Sequence, residues 1–201
     1  TSKYVLSGLK VGSTAYVNYA DKVLKISDVA FNNSIAPVLL THLSKSSKND
    51  LSKRFQSVFE ILSFIIIPFT FFIFFGSSEI IKVLFYRGEL DINSVNYTTS
   101  ALKLMIFSTI SVTLLVLNNK IYAAMKDSKT GFYLSFPSYI IYGFNYYLLG
   151  TKFGFKGIAL AITLNSFISL LTSTFFIYKI HFKFNYLKIF FCFLKYFIIS
   201  F

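Results

Sequence analysis

Cysteine occurs once, at Cys192 inside an apolar run, so no disulfide framework can form. Histidine occurs twice, at His42 and His181, and nothing pairs the two at metal-ligand spacing. Tryptophan is absent, and the nine glycines form no phosphate-cradling loop. No catalytic triad and no combination of paired acids and histidines is present. No metal or other cofactor is therefore expected, and the chain does not read as an enzyme. Charge is scarce as well. Only 14% of residues are charged, against about 25% in a soluble domain.

What fills the space is apolar. The chain is 55% hydrophobic and 20% aromatic, with 26 phenylalanines. The stretch 61–75 carries no charge and could not face water on any surface helix. A membrane crossing needs about 20 mostly apolar residues. The chain is therefore expected to be an all-α, polytopic transmembrane helical bundle. Six membrane helices are predicted, at about 15–43, 55–84, 98–125, 132–149, 157–179 and 186–201. Pro68, midway along the second, removes a backbone hydrogen bond and favours a kink. The chain starts at Thr1 and stops within the apolar run 187–201, so it is expected to be a piece of a longer protein. Residues 1–201 read as a single membrane domain.

The net charge of +12 does not point to nucleic acid, because the lysines are spread between apolar runs rather than gathered in a patch. Alternate connections are basic. The segments 44–54, 120–129 and 179–188 hold ten Lys or Arg between them, whereas the opposite connections hold only Arg87, Lys152 and Lys156. The positive-inside rule makes the first set cytoplasmic.

Against this apolar background, the first helix opens with charge. Asp21, Lys25, Asp28 and Asn32 recur at helical spacing and share one face, with Lys22 beside them. Ionisable residues in a membrane helix normally face a protein interior or a watery cavity. Asp21, Lys22, Lys25 and Asp28 are therefore candidates for binding an anionic head group. The lysines would serve as point charges, and the acids would hold them by i,i+4 and i,i+3 pairing. The alternative is a wet helix end with snorkelling lysines. Other polar positions have plainer readings. Glu60 suits the first turn of a helix, and Asn118, Asn119 and Asn165 suit hydrogen bonds between helices.

Several segments together resemble the MviN/MurJ family of lipid-linked precursor flippases, within the multidrug/oligosaccharidyl-lipid/polysaccharide exporter superfamily. The segment 12–22, Gly-Ser-Thr-Ala-Tyr-Val-Asn-Tyr-Ala-Asp-Lys, is similar to the family's GSVSALNYADR at the start of its eighth helix. Residues 39–45 are similar to its LLPxLSR, residues 84–90 to its LFxRGxF, and residues 123–130 to its AxxDxKTP. The resemblance covers nearly the whole chain. It implies helices eight to thirteen, one lobe of a two-lobe exporter whose N-terminal helices lie outside this sequence.

The implied function is movement of a polyprenyl-diphosphate-linked saccharide, lipid II or an O-antigen or capsule unit, across the bacterial inner membrane by alternating access. Partners would be that lipid-linked oligosaccharide, membrane lipid and the missing helices. A drug or small-solute exporter of the same superfamily is the alternative, and a membrane-embedded polysaccharide enzyme is a more distant one. Three positions depart from the family pattern. Lys22 stands where the family usually has Arg, Thr41 where it has Pro, and Gly131 where Pro follows Thr. Lysine lacks the bidentate fork of arginine.

Overall fold

A computed structural model describes residues 13–29, 31, 48–86, 91–181, 183, 185, 191 and 194–199. Five α-helices carry most of these: α1 (Ser13–Asp28), α2 (Lys48–Phe85), α3 (Ile92–Met105), α4 (Ser108–Ala124) and α5 (Ser128–Phe176). A π-helical turn, Ile177–His181, follows α5. Among the described residues there is no strand. The stretches Leu51–Phe85, Ile92–Ala124 and Ser138–Ile180 are long and apolar enough to cross a membrane.

Length alone would count α5 as one rod, but its contacts make it a hairpin. Asn145 donates from Nδ2 to Asn165 Oδ1 at 2.6 Å, although the two lie 20 residues apart. In a straight helix that separation would be roughly 30 Å. The reversal sits at Gly154, whose φ of 60° and ψ of −138° interrupt the helix. Only glycine enters that region without strain. The close return of the second arm requires a second glycine. A Cβ at Gly157 would overlap the Leu149 carbonyl oxygen.

Helices α3 and α4 form one crossing with a slipped turn at Ile106 and Phe107. There the Thr109 N–H reaches the Ile106 carbonyl at 3.0 Å, and the Ser108 hydroxyl donates to Met105 O at 2.6 Å. Helix α2 stays helical through Pro68. Asp91 and Asp127 cap α3 and α5, accepting from the backbone N–H of Ser94 and Thr130. The Thr130 hydroxyl and backbone N–H hold the Asp127 carboxyl below its ordinary pKa, with His181 assisting.

The packing shows which ends meet. Phe55, Phe59, Leu62 and Ile66, one stripe of α2, pack against Ile110, Leu114, Leu117 and Ile121, one stripe of α4. At the other end Val17, Ala20 and Leu24 of α1 meet Ile81, Leu102, Met105 and Ile158. Lipid is as apolar as these side chains, so their burial alone does not hold helices together in a membrane. Close packing and interhelical polar contacts do. Ser63, Ser77, Ala101, Ser111, Ala159 and Ala161 are fully buried and let the backbones approach. Asn118 Nδ2 donates to Thr174 Oγ1 at 2.8 Å, the Tyr122 hydroxyl to Ser173 O at 3.0 Å, and the Thr163 hydroxyl to Leu104 O at 2.6 Å. Asn119, by contrast, is exposed.

The basic connections share one end. The Ser52 hydroxyl donates to Lys183 O at 2.9 Å, and His181 approaches Asp127 to 3.1 Å without hydrogen-bond alignment. Aromatic rings gather at the other end: Tyr16 with Tyr97 at 5.2 Å, Tyr16 with Phe155 at 5.6 Å, and Tyr19 with Phe85 at 4.9 Å. Residues 32–43, 87–90 and 186–190 lie outside the described set, and with them Asn32, His42, Arg87 and the expected start of the sixth helix.

Candidate functional site

Helix α1 divides into two faces. Ser13, Val17, Ala20, Leu24 and Ser27 recur at three- and four-residue intervals and are buried against the bundle. The opposite face carries Asn18, Asp21, Lys22 and Lys25. The charges of the stripe thus stand on the side the bundle leaves uncovered.

An open pocket of about 390 Å³ forms on that face, lined by Ala15, Asn18, Tyr19, Asp21, Lys22 and Lys25. Asp21 Oδ2 lies 2.8 Å from Lys25 Nζ, with side-chain exposures of 42% and 68%. An ion pair that exposed adds little to stability. Its effect is to aim Lys25 rather than to hold the fold. Lys22 is placed differently. Its Nζ sits 4.6 Å from the centroid of the Tyr19 ring and 5.8 Å from that of Phe85. The two rings contact each other, so Lys22 rests on an aromatic shelf built from α1 and the end of α2.

Three of the four expected site residues, Asp21, Lys22 and Lys25, therefore line one pocket. Asp28 is half-buried and does not line it. Seven residues along the helix from Asp21, it keeps the same angular position but sits about 10 Å further down the axis. Asn18, Tyr19 and Phe85 complete the surroundings. Chemically the pocket offers two ammonium groups, one carboxylate and one amide within an aromatic wall. That set can hold an anion through charge and hydrogen bonds. It offers no nucleophile paired with a base, and no group of His, Cys, Asp and Glu among the described residues could hold a metal.

The sequence model of a known family, described as "Lipid II flippase MurJ", matches residues 2–201. The chain belongs to the MurJ family. Relatives called "Probable lipid II flippase MurJ" occur in Borreliella burgdorferi and Aquifex aeolicus. The first is 27% identical over 199 residues, covering 94% of this chain and 38% of the relative. The second is 33% identical over 105 residues, covering 52% of this chain and 21% of the relative. A solved structure, "Lipid II flippase MurJ, inward closed conformation", superposes with a TM-score of 0.84 at 21% identity, over 98% of this chain and 41% of that one. This last likeness shows the fold. The chain spans well under half the length of these MurJ relatives. Like the MurJ family as a whole, it is a multi-pass protein of the inner membrane, and MurJ proteins are named as flippases rather than enzymes.

Proposed function

We propose that the full-length protein flips lipid II, or a closely similar polyprenyl-diphosphate-linked saccharide, across the inner membrane, and that residues 1–201 form most of one of its two lobes. The observation that supports this best is the pocket on α1. Lys22 and Lys25 stand on the face of the helix turned away from its own bundle. They are positioned to meet a diphosphate that lies between this lobe and another.

The rest of the bundle supports the same reading. The three basic connections share one end, and the positive-inside asymmetry assigns that end to the cytoplasm. The pocket then opens toward the outer leaflet, where a flipped head group is released. A lone lobe has only one wall of the cavity. Alternating access needs a second body to rock against the first.

The test is reconstitution. Vesicles holding the full-length protein should move a labelled polyprenyl-diphosphate-linked saccharide between leaflets, and vesicles holding residues 1–201 alone should move none above background. Transport by the 201-residue piece would refute the two-lobe reading. An inactive full-length protein would refute the substrate class.

A further inference from the structure

A second groove, of about 660 Å³, lies between α2, α3 and the second arm of α5. Phe74, Phe107, Leu160 and Leu164 form its apolar walls, and Lys103 and Lys156 supply its charge. The two lysines come from different helices. Lys156 is exposed and follows the Gly154 reversal by two residues, which places it at the membrane-surface end of the arm. Lys103 lies a third of the way along the Ile92–Ala124 stretch, which at about 50 Å exceeds a hydrocarbon core of about 30 Å, so it stands toward the same membrane surface as Lys156. Lys103 Nζ sits 5.5 Å from the centroid of Phe74, within the groove.

Two ammonium groups that line one apolar groove attract an anion between them. Neither lysine forms an ion pair among the described residues, and a phenylalanine ring offsets little of the charge. The Thr163 hydroxyl proton is already given to Leu104 O at 2.6 Å and the Ser100 hydroxyl proton to Asn96 O at 2.9 Å, which leaves the two lysines as the groove's side-chain donors. An occupant must therefore be anionic at one end and apolar along the rest. It must also be at hand within the membrane.

We propose that this groove binds one anionic glycerophospholipid, its phosphate held by Lys103 and Lys156 and an acyl chain laid along Phe74, Phe107, Leu160 and Leu164. The site is separate from the α1 pocket, shares no lining residue with it, and does not depend on what the protein transports. A lipid seated there bridges α2, α3 and the second arm of α5.

The experiment uses purified full-length protein in mixed micelles carrying equal phosphatidylglycerol and phosphatidylcholine, with retained lipid counted by native mass spectrometry. Wild type should retain phosphatidylglycerol over phosphatidylcholine by about tenfold or more. Lys103→Gln with Lys156→Gln should reduce that preference to about threefold or less. Lys103→Arg with Lys156→Arg should keep it, as should Lys152→Gln outside the groove.

Retention unchanged in the glutamine pair would overturn the proposal, as would equal retention of phosphatidylcholine by wild type. Wild-type protein should also crosslink a photoreactive phosphatidylglycerol at residues 100–107 and 160–167, a readout independent of whether the variants fold. Absence of that crosslink would mean that another part of the protein covers the groove. Its displacement by a lipid-linked saccharide diphosphate would assign the groove to the substrate instead. Either result contradicts the inference.

Discussion

Replacing Asp21 and Lys22 together by alanine in the full-length protein is expected to abolish rescue of a flippase-depleted strain, with membrane levels unchanged. The levels should hold because the fold does not lean on these residues. Lys25 is largely in the open and Asp21 partly so, and Lys22 rests on the outside of Tyr19 and Phe85. Activity should fall because the double variant deprives the pocket of one of its two ammonium groups and of the carboxylate that aims the other. A hydrogen bond to a charged group contributes about 1.5–3 kcal/mol, or roughly ten- to hundredfold in rate per contact. Lys22→Arg should be tolerated, since it keeps the charge and adds the fork suited to a diphosphate. Lys129→Ala, exposed at the opposite end, should grow as wild type. Normal growth of the Asp21 and Lys22 double variant would make the stripe a wet helix end.

The second large effect concerns the hairpin. Gly157→Ala should lower the thermal stability of the full-length protein by about 1–3 kcal/mol and impair function, although Gly157 lines neither pocket. The new methyl would overlap the Leu149 carbonyl oxygen, a backbone atom that cannot swing aside. The arms would have to part, and the Asn145–Asn165 hydrogen bond lies near that junction. Gly76→Ala is the internal control. An added Cβ there meets only the Ile80 side chain, at 3.6 Å, and alanine is the better helix former by about 1 kcal/mol. Gly76→Ala should therefore melt no lower than wild type. If Gly157→Ala also melts with wild type, the two arms do not approach as described.

These two cases differ in how far the sequence discloses them. Apolar runs reveal a membrane slab, not the ends of helices. Helix α2 therefore begins at Lys48, well before the apolar stretch, because Lys53 and Arg54 are good helix formers that sit outside the slab. The early start of α3 at Ile92 carried a readable signal, Asp91 as an N-cap bonded to the Ser94 N–H. The slipped turn at Ile106 and Phe107 carried none, since neither proline nor glycine marks it.

The site shows the same division. Charge is rare in this chain, so Asp21, Lys22 and Lys25 stand out by spacing alone. Asp28 shares that spacing, but helical periodicity is blind to depth along the axis, and the pocket ends before it. Tyr19 and Phe85 were hidden by abundance. Among 40 phenylalanines and tyrosines, nothing local distinguishes the two that cradle a lysine. Lys103 and Lys156 lie more than 50 residues apart, and no sequence pattern joins them until the hairpin brings their helices together.

The most direct measurement of the central claim is contact between the α1 pocket and the substrate in cells. A photoreactive amino acid at Asn18, which lines the pocket beside Lys22 and Lys25, should crosslink the lipid-linked saccharide diphosphate on illumination of the full-length protein. The same group at Lys152, exposed at the same end but outside the pocket, should not. Capture at Asn18 that disappears with Lys22→Ala is the result this account predicts. Equal capture at both positions, or none at Asn18 in a strain that depends on the tagged protein for growth, would contradict it.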